Sequence, residues 1–119
     1  MTYDNQNIFA KIIRGEIPCD KVFENDHVLA FNDISPQAKI HVLVIPKGAY
    51  IDIKDFNKNA SDEEILGFNR AVAEIIEQLD VAQGFRSIAN SGDHGGQEVP
   101  HYHLHLLGGQ PLGAMLAKG

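Results

Sequence analysis

The stretch His101-Tyr102-His103-Leu104-His105-Leu106-Leu107 alternates imidazole with apolar side chains. A strand has a side-chain period of two, so His101, His103 and His105 share one face, and Tyr102, Leu104 and Leu106 share the other. The second face suits a core. On a helix the three rings would spread around the axis and the spacing would gain nothing. The stretch therefore predicts a strand over 101–107, entered from Pro100, a position strands tolerate. Gly108-Gly109-Gln110-Pro111 ends it.

Working outward, residues 91–96 form a polar, glycine-rich loop, and 85–89 read as a strand after the stop at Gly84. Residues 61–79 predict the long helix. Ser61 and Glu64 form a capping box, and Ile65, Phe68, Val72, Ile75, Ile76 and Leu79 recur at helical spacing. Residues 39–45, rich in β-branched side chains, predict a longer strand. Lys21-Val22-Phe23-Glu24 and Val28-Leu29-Ala30-Phe31 predict two short strands around a turn at Asn25-Asp26. Residues 8–13 predict a short helix capped by Asn7 and stopped by Gly15 and Pro18. Helices and strands do not alternate regularly, which argues for an α+β fold with a mainly antiparallel sheet. The tail carries Leu112, Met115 and Leu116 with nothing local to pack on.

The 119 residues suffice for one domain, spanning 1–119, and are too few for two. A chain of this size buries a modest share of its surface, so a dimer interface would add stability. The net charge is -6 with no Lys/Arg cluster, which argues against a nucleic-acid duplex as partner. Cys19 is the one cysteine, so no intramolecular disulfide forms and the expected location is cytoplasmic. The first seven residues lack the pattern of a signal peptide, and no apolar run approaches a membrane span.

Three aligned imidazoles suit phosphate chemistry. One ring can act as nucleophile or base while a neighbour carries a proton. An unprotonated ring nitrogen can attack phosphorus, and a protonated neighbour offsets the charge that develops. The middle ring, His103, has a like neighbour on each side. The flanking rings are expected to hold its tautomer and pass a proton to the leaving group, and a neighbouring cation would lower its pKa. The glycines of Asn90-Ser91-Gly92-Asp93-His94-Gly95-Gly96-Gln97 let backbone amides approach an anion. Alternatives for these features are a solvated strand face, an ordinary turn, and a metal site, since imidazole is the commonest zinc ligand. No nearby Cys or Glu-x-x-His partner supports metal, and none is expected. Asp33 alone reads as a turn former, and Phe31 and Leu43 alone read as core.

With these residues in view the chain resembles the histidine-triad family, in its Hint branch. The match rests on residues 101–107 followed by Gly108-Gly109, on the run 30–38 from Ala30 to Ala38, on His41, Val44-Ile45-Pro46-Lys47 and Gly95-Gly96-Gln97, and on the opening 9–18 from Phe9 to Pro18. It covers nearly the whole chain from about Ile8. The resemblance implies a five-stranded antiparallel sheet with one short and one long helix, continued across a homodimer. Residues 1–7 are then expected to be flexible, and the tail 110–119 to reach toward the dimer partner. It implies hydrolysis of the P–N bond of purine nucleoside 5′-phosphoramidates and related adenylates through a nucleotidyl-histidine, without metal or cofactor. It casts His103 as nucleophile, His105 at the phosphate oxygens, and His41 and His101 as groups that orient the other rings. Asp33 would hold the ribose hydroxyls, and Ile34, Phe31, Leu43 and Phe9 would line the purine pocket. Asn90, Gly96, Gln97 and Glu98 would surround the phosphate and leaving group.

Glu98 stands where members from higher organisms have serine and bacterial members often have glutamate, which suggests a bacterial source. Asn7-Ile8-Phe9-Ala10 lacks the Cys-x-x-Cys that binds structural zinc in some relatives. Gln110 stands where arginine is common. His105 is kept where transferase relatives have glutamine, which favours hydrolysis. A nucleotide-binding scaffold and a dinucleoside polyphosphate hydrolase are the competing readings.

Overall fold

A computed structural model describes residues 2–117. The elements run α1 (Ile8–Ile13), β1 (Lys21–Glu24), β2 (Val28–Asn32), β3 (Ile40–Pro46), α2 (Ile53–Asn59), α3 (Asp62–Gln78), β4 (Phe85–Ile88), α4 (Gly92–Gly95) and β5 (Leu104–Gly108). The five strands form one antiparallel sheet in the order β1-β2-β3-β5-β4. The α+β class and the five-stranded antiparallel sheet agree with the sequence reading.

The period of two sorts the side chains onto two buried faces. Val28, Ala30, Val42, Val44, Tyr102 and Leu106 pack under Phe56 of α2 and Phe68, Ala71 and Ile75 of α3. Leu29, Phe31, Leu43 and Ile45 face the other way and pack with Phe9 of α1. The strands β2 and β3 are thus covered on both sides, which is why their sequences read as near-continuous apolar runs. Helix α3 begins as expected. Ser61 Oγ accepts from the Glu64 amide, and Glu64 Oε1 accepts from the Ser61 amide; a cap of this kind contributes about 1 kcal/mol.

Three expectations are corrected. The final strand enters the ladder only at Leu104, because the amides before it are used elsewhere: His101 N–H donates to Val99 O and Tyr102 N–H to Tyr50 O. The alternation survives this delay, since Tyr102 still packs in the core with Leu106. Besides one short and one long helix there are two more helices. In α2, Asp52 accepts from the Asp55 amide and Phe56 is the one buried anchor, too little to produce a periodic signal. The glycine-rich loop closes as the single turn α4, ended by Gly96 at φ 76°. Before α1 the chain is hydrogen-bonded to the helix and its cap. Asp4 O accepts from both the backbone and the side chain of Asn7, whose own oxygen caps α1, and Arg14 reaches Asn5 O. In the tail, Met115 and Leu116 are exposed, and Arg86 holds the carbonyls of Gly113 and Ala114. The last two residues of the expected tail lie outside the described ones.

Candidate active site

The face of the sheet that carries Phe9 also carries the histidines. His41 on β3 shares the parity of Leu43 and Ile45, and His105 on β5 pairs with Leu43. His103 lies beside His105 with ring centroids 5.0 Å apart, and His41 lies 5.2 Å from His105. The Phe9 ring stands edge-on to His103 at 4.9 Å and to His101 at 6.4 Å. The four expected catalytic histidines therefore form one contiguous group, in which His41, His101 and His103 are buried.

Backbone groups of fixed polarity assign the protons in this group. The Pro46 carbonyl, 2.8 Å from His101 Nε2, can only accept, so Nε2 carries the proton. His101 Nδ1 is then bare and accepts from the Tyr3 hydroxyl at 2.6 Å. The His101 carbonyl, 2.7 Å from His103 Nδ1, likewise fixes the proton of His103 on Nδ1 and leaves Nε2 with a free lone pair. The Gln37 amide can only donate, so His41 Nδ1 accepts at 3.1 Å and His41 Nε2 carries the proton. That proton is donated to His105 Nδ1 at 2.9 Å, which leaves the proton of His105 on Nε2. One ring thus offers a bare nitrogen and its neighbour an N–H.

The protonation states agree. Burial lowers all four values from the ordinary 6.5, His101 and His105 to about 4. The sequence reading attributed a lowered value at His103 to a neighbouring cation; the main cause is the loss of hydration in a closed site. It also gave the tautomer of His103 to the flanking rings, whereas a backbone carbonyl holds it.

Asp33, the residue that follows β2, combines both of its readings. Its Oδ1 accepts from the Ser35 amide, as a turn former does, while Oδ2 lies 3.5 Å from His41 Nε2. Asp33, His41 and His105 place one potential ligand atom each within 4.8 Å of one another. The hydrogen bonds oppose a metal there. With Gln37 donating to Nδ1, His41 keeps its proton on Nε2, the atom facing the cluster, and ligation would require an imidazolate.

The structure brings Phe9, Phe31 and Leu43 together, with Phe9 edge-on to Phe31 at 5.6 Å. Ile34 stands outside this cluster at 96% exposed. Gln97 has its amide committed: Nε2 donates to the carbonyls of Ile51 and Val99, and Oε1 accepts from the Gly92 amide. The amides of Gly96 and Gln97 are also used, toward Asp93 O and Gly92 O, so the glycine run is less open to an anion than its composition suggested. Asn90 and Glu98 make no hydrogen bond among the described residues. Glu98 lines a cleft of about 550 Å³ shared with Asp52, Lys54, Asp55 and Lys58, and no histidine lines it. Sequence reading missed Tyr3, the Pro46 carbonyl and the Gln37 amide as partners of the rings. Only the Asn7 cap hinted that the chain before α1 is fixed.

The HIT domain family matches residues 14–112 of the chain. An uncharacterised 13.2 kDa HIT-like protein of Azospirillum brasilense is 53% identical over 119 residues, covering 99% of this chain and 98% of that protein. The purine nucleoside phosphoramidase of Escherichia coli K12 is 52% identical over 114 residues, 94% of each. Among solved structures, a HIT family hydrolase from Clostridium thermocellum superposes with a TM-score of 0.85 at 36% identity, covering 96% of this chain and 99% of that one. A histidine triad protein from Clostridium difficile gives 0.82 at 40% identity, covering 97% and 100%.

Proposed function

The chain belongs to the HIT domain family, and on that premise we propose that it is a nucleotide hydrolase cleaving the P–N bond of purine nucleoside 5′-phosphoramidates. The observation that carries the reading is the pair of assigned tautomers, a bare Nε2 on His103 next to a protonated Nε2 on His105.

The lone pair of His103 Nε2 attacks the α-phosphorus while His105 Nε2–H donates a hydrogen bond to a phosphate oxygen, and the P–N bond to the amine breaks as the amine takes a proton from solvent. The ring of His103 then carries positive charge, which the His101 carbonyl at Nδ1 offsets. Water attacks the nucleotidyl-histidine in the second step. Its proton leaves to solvent, the P–N bond to His103 breaks, and the nucleoside monophosphate leaves. His41 holds the tautomer of His105 by donating to Nδ1. The exposed Ile34 offers an apolar surface to the outer face of the purine, while Phe9, Phe31 and Leu43 form its inner wall. Asn90, Gly96 and Glu98 border the leaving group, with Gln97 fixing their segment. None of these steps draws on a metal or a cofactor. Turnover of an adenosine phosphoramidate in excess EDTA tests the reading, with full activity expected; loss that zinc restores would overturn it.

Asp33 serves the ribose in this scheme. Its carboxylate can accept from the 2′ and 3′ hydroxyls, charge-assisted bonds of about 1.5 to 3 kcal/mol. Asp33→Ala is expected to weaken AMP binding by roughly ten- to a hundredfold. Unchanged binding in a titration calorimeter would leave Asp33 as the turn residue its bond to Ser35 makes it.

The chain acts as a homodimer in this reading, as a single domain spanning 1–119. Strand β4 is a free sheet edge with Phe85 46% exposed, and the apolar tail with Met115 and Leu116 lies unpacked. Pairing of two such edges would continue the sheet, with the tail reaching toward the partner. Sedimentation at micromolar concentration distinguishes this from a monomer. No helix among the described residues is long and apolar enough to cross a membrane, and the lone Cys19 suits the cytoplasm.

A further inference from the structure

Tyr3 lies 98 positions before His101, yet its hydroxyl donates to His101 Nδ1 at 2.6 Å. The two rings meet edge-on, 5.7 Å apart at 69°. This is no loose terminus falling across the site. Asn7 is fixed by its cap on α1, and it grips Asp4 O through its side chain at 2.7 Å. Arg14 Nη1 holds Asn5 O at 2.7 Å. The chain from Asp4 to α1 is thus set in place, and Tyr3 is delivered to one point.

That point matters because His101 is 1% exposed, with Nε2 committed to Pro46 O. Its Nδ1 is a buried acceptor whose donor among the described residues is Tyr3. Without that donor the nitrogen would be buried and unpaired, which folded proteins avoid. The opposite tautomer would set a lone pair against the Pro46 carbonyl. The Pro46 carbonyl therefore sets the tautomer, and the hydroxyl supplies the donor that this tautomer needs at Nδ1.

The ring in turn anchors a backbone that is not yet in the sheet. His101 precedes the first ladder residue, Leu104, and its carbonyl is the group that fixes His103 Nδ1. Nearby, the backbone is held by His101 N–H to Val99 O and Tyr102 N–H to Tyr50 O. We propose that Tyr3 is a positioning residue for the reaction: its hydroxyl locks the His101 ring on the Pro46 carbonyl and, through the His101 carbonyl, aims His103. The proposal rests on the assignment of His103 as nucleophile.

Tyr3→Phe tests it, because the ring stays and only the hydroxyl is lost. In the intact protein kcat on an adenosine phosphoramidate is expected to fall about tenfold, the factor that corresponds to about 1.4 kcal/mol of one lost hydrogen bond. KM should stay within about twofold, since Tyr3 does not touch the purine or ribose groups. In ¹⁵N spectra the His101 Nδ1 resonance should move toward that of an unbonded ring nitrogen. A chain lacking residues 1–3 should show the same loss. An unchanged kcat, a change confined to KM, or an unmoved His101 resonance would overturn the proposal. If the wild-type protein turns over no phosphoramidate, the proposed function falls, and the nitrogen spectra of the two proteins still decide whether Tyr3 holds His101.

Discussion

His103→Ala is expected to lower turnover of an adenosine phosphoramidate by on the order of 10⁴-fold or more, as removal of a catalytic nucleophile does elsewhere. A phosphoramidate is hard to hydrolyse in one step, and the nucleophile splits the reaction into two easier ones. AMP binding should persist, because Asp33 and the cluster of Phe9, Phe31 and Leu43 owe nothing to the His103 ring except one edge contact with Phe9. His105→Ala and His101→Ala should be milder. The first removes a hydrogen-bond donor to the phosphate, and the second leaves the His101 carbonyl in the chain without the ring that anchors it, a loss of at least the roughly tenfold expected of Tyr3→Phe. Steady-state rates and calorimetric AMP affinity measured on the same preparations separate chemistry from binding. A His103→Ala protein with a near-normal rate would remove His103 from the mechanism.

Mild acid is expected to destabilise the fold through the same histidines. Burial holds His101 and His105 at about 4, against 6.5 in the unfolded chain. Between those values the unfolded chain binds protons that the native state refuses, so stability falls as pH drops from 6.5 toward 4. His101, at 1% exposed, contributes on the order of 3 kcal/mol to that loss. His41 and His103 act in the same direction. The carboxylates are not the cause in this window. Glu24, lowered to about 2 by Lys47 and Lys21, gives up its contribution only as pH falls from 4.5 toward 2. Thermal melts should therefore show Tm nearly constant above about pH 7.5 and falling between 6.5 and 4.5. A flat Tm across that interval would mean that the rings are hydrated or already paired with charge.

The two-sided sheet was legible because burial on each face repeats every second residue. Tyr102, Leu104 and Leu106 against His101, His103 and His105 gave the parity of β5, and the β-branched run 39–45 marked β3. Helix α3 announced itself by its capping box and apolar stripe. Helix α2 did not, because Phe56 alone enters the core and its start depends on one side-chain bond from Asp52. The glycine-rich run was visible, but composition could not tell that its amides are spent within a closed turn. The identity of the site residues was legible and their proton arrangement was not. The groups that assign the protons are backbone atoms of Pro46, His101 and Gln37, brought to the rings by strand pairing and loops. Tyr3 was hidden for a related reason: its partner lies at the far end of the chain, and no local pattern marks a tyrosine before a helix cap.

The central claim is a covalent bond between His103 and the α-phosphorus during turnover. Rapid quenching of the protein with an adenylate radiolabelled at the α-phosphate tests it most directly. Acid-labile label is expected on the wild-type chain and none on His103→Ala. Label that persists on His103→Ala, or a wild-type chain that turns over without acquiring any, would contradict it.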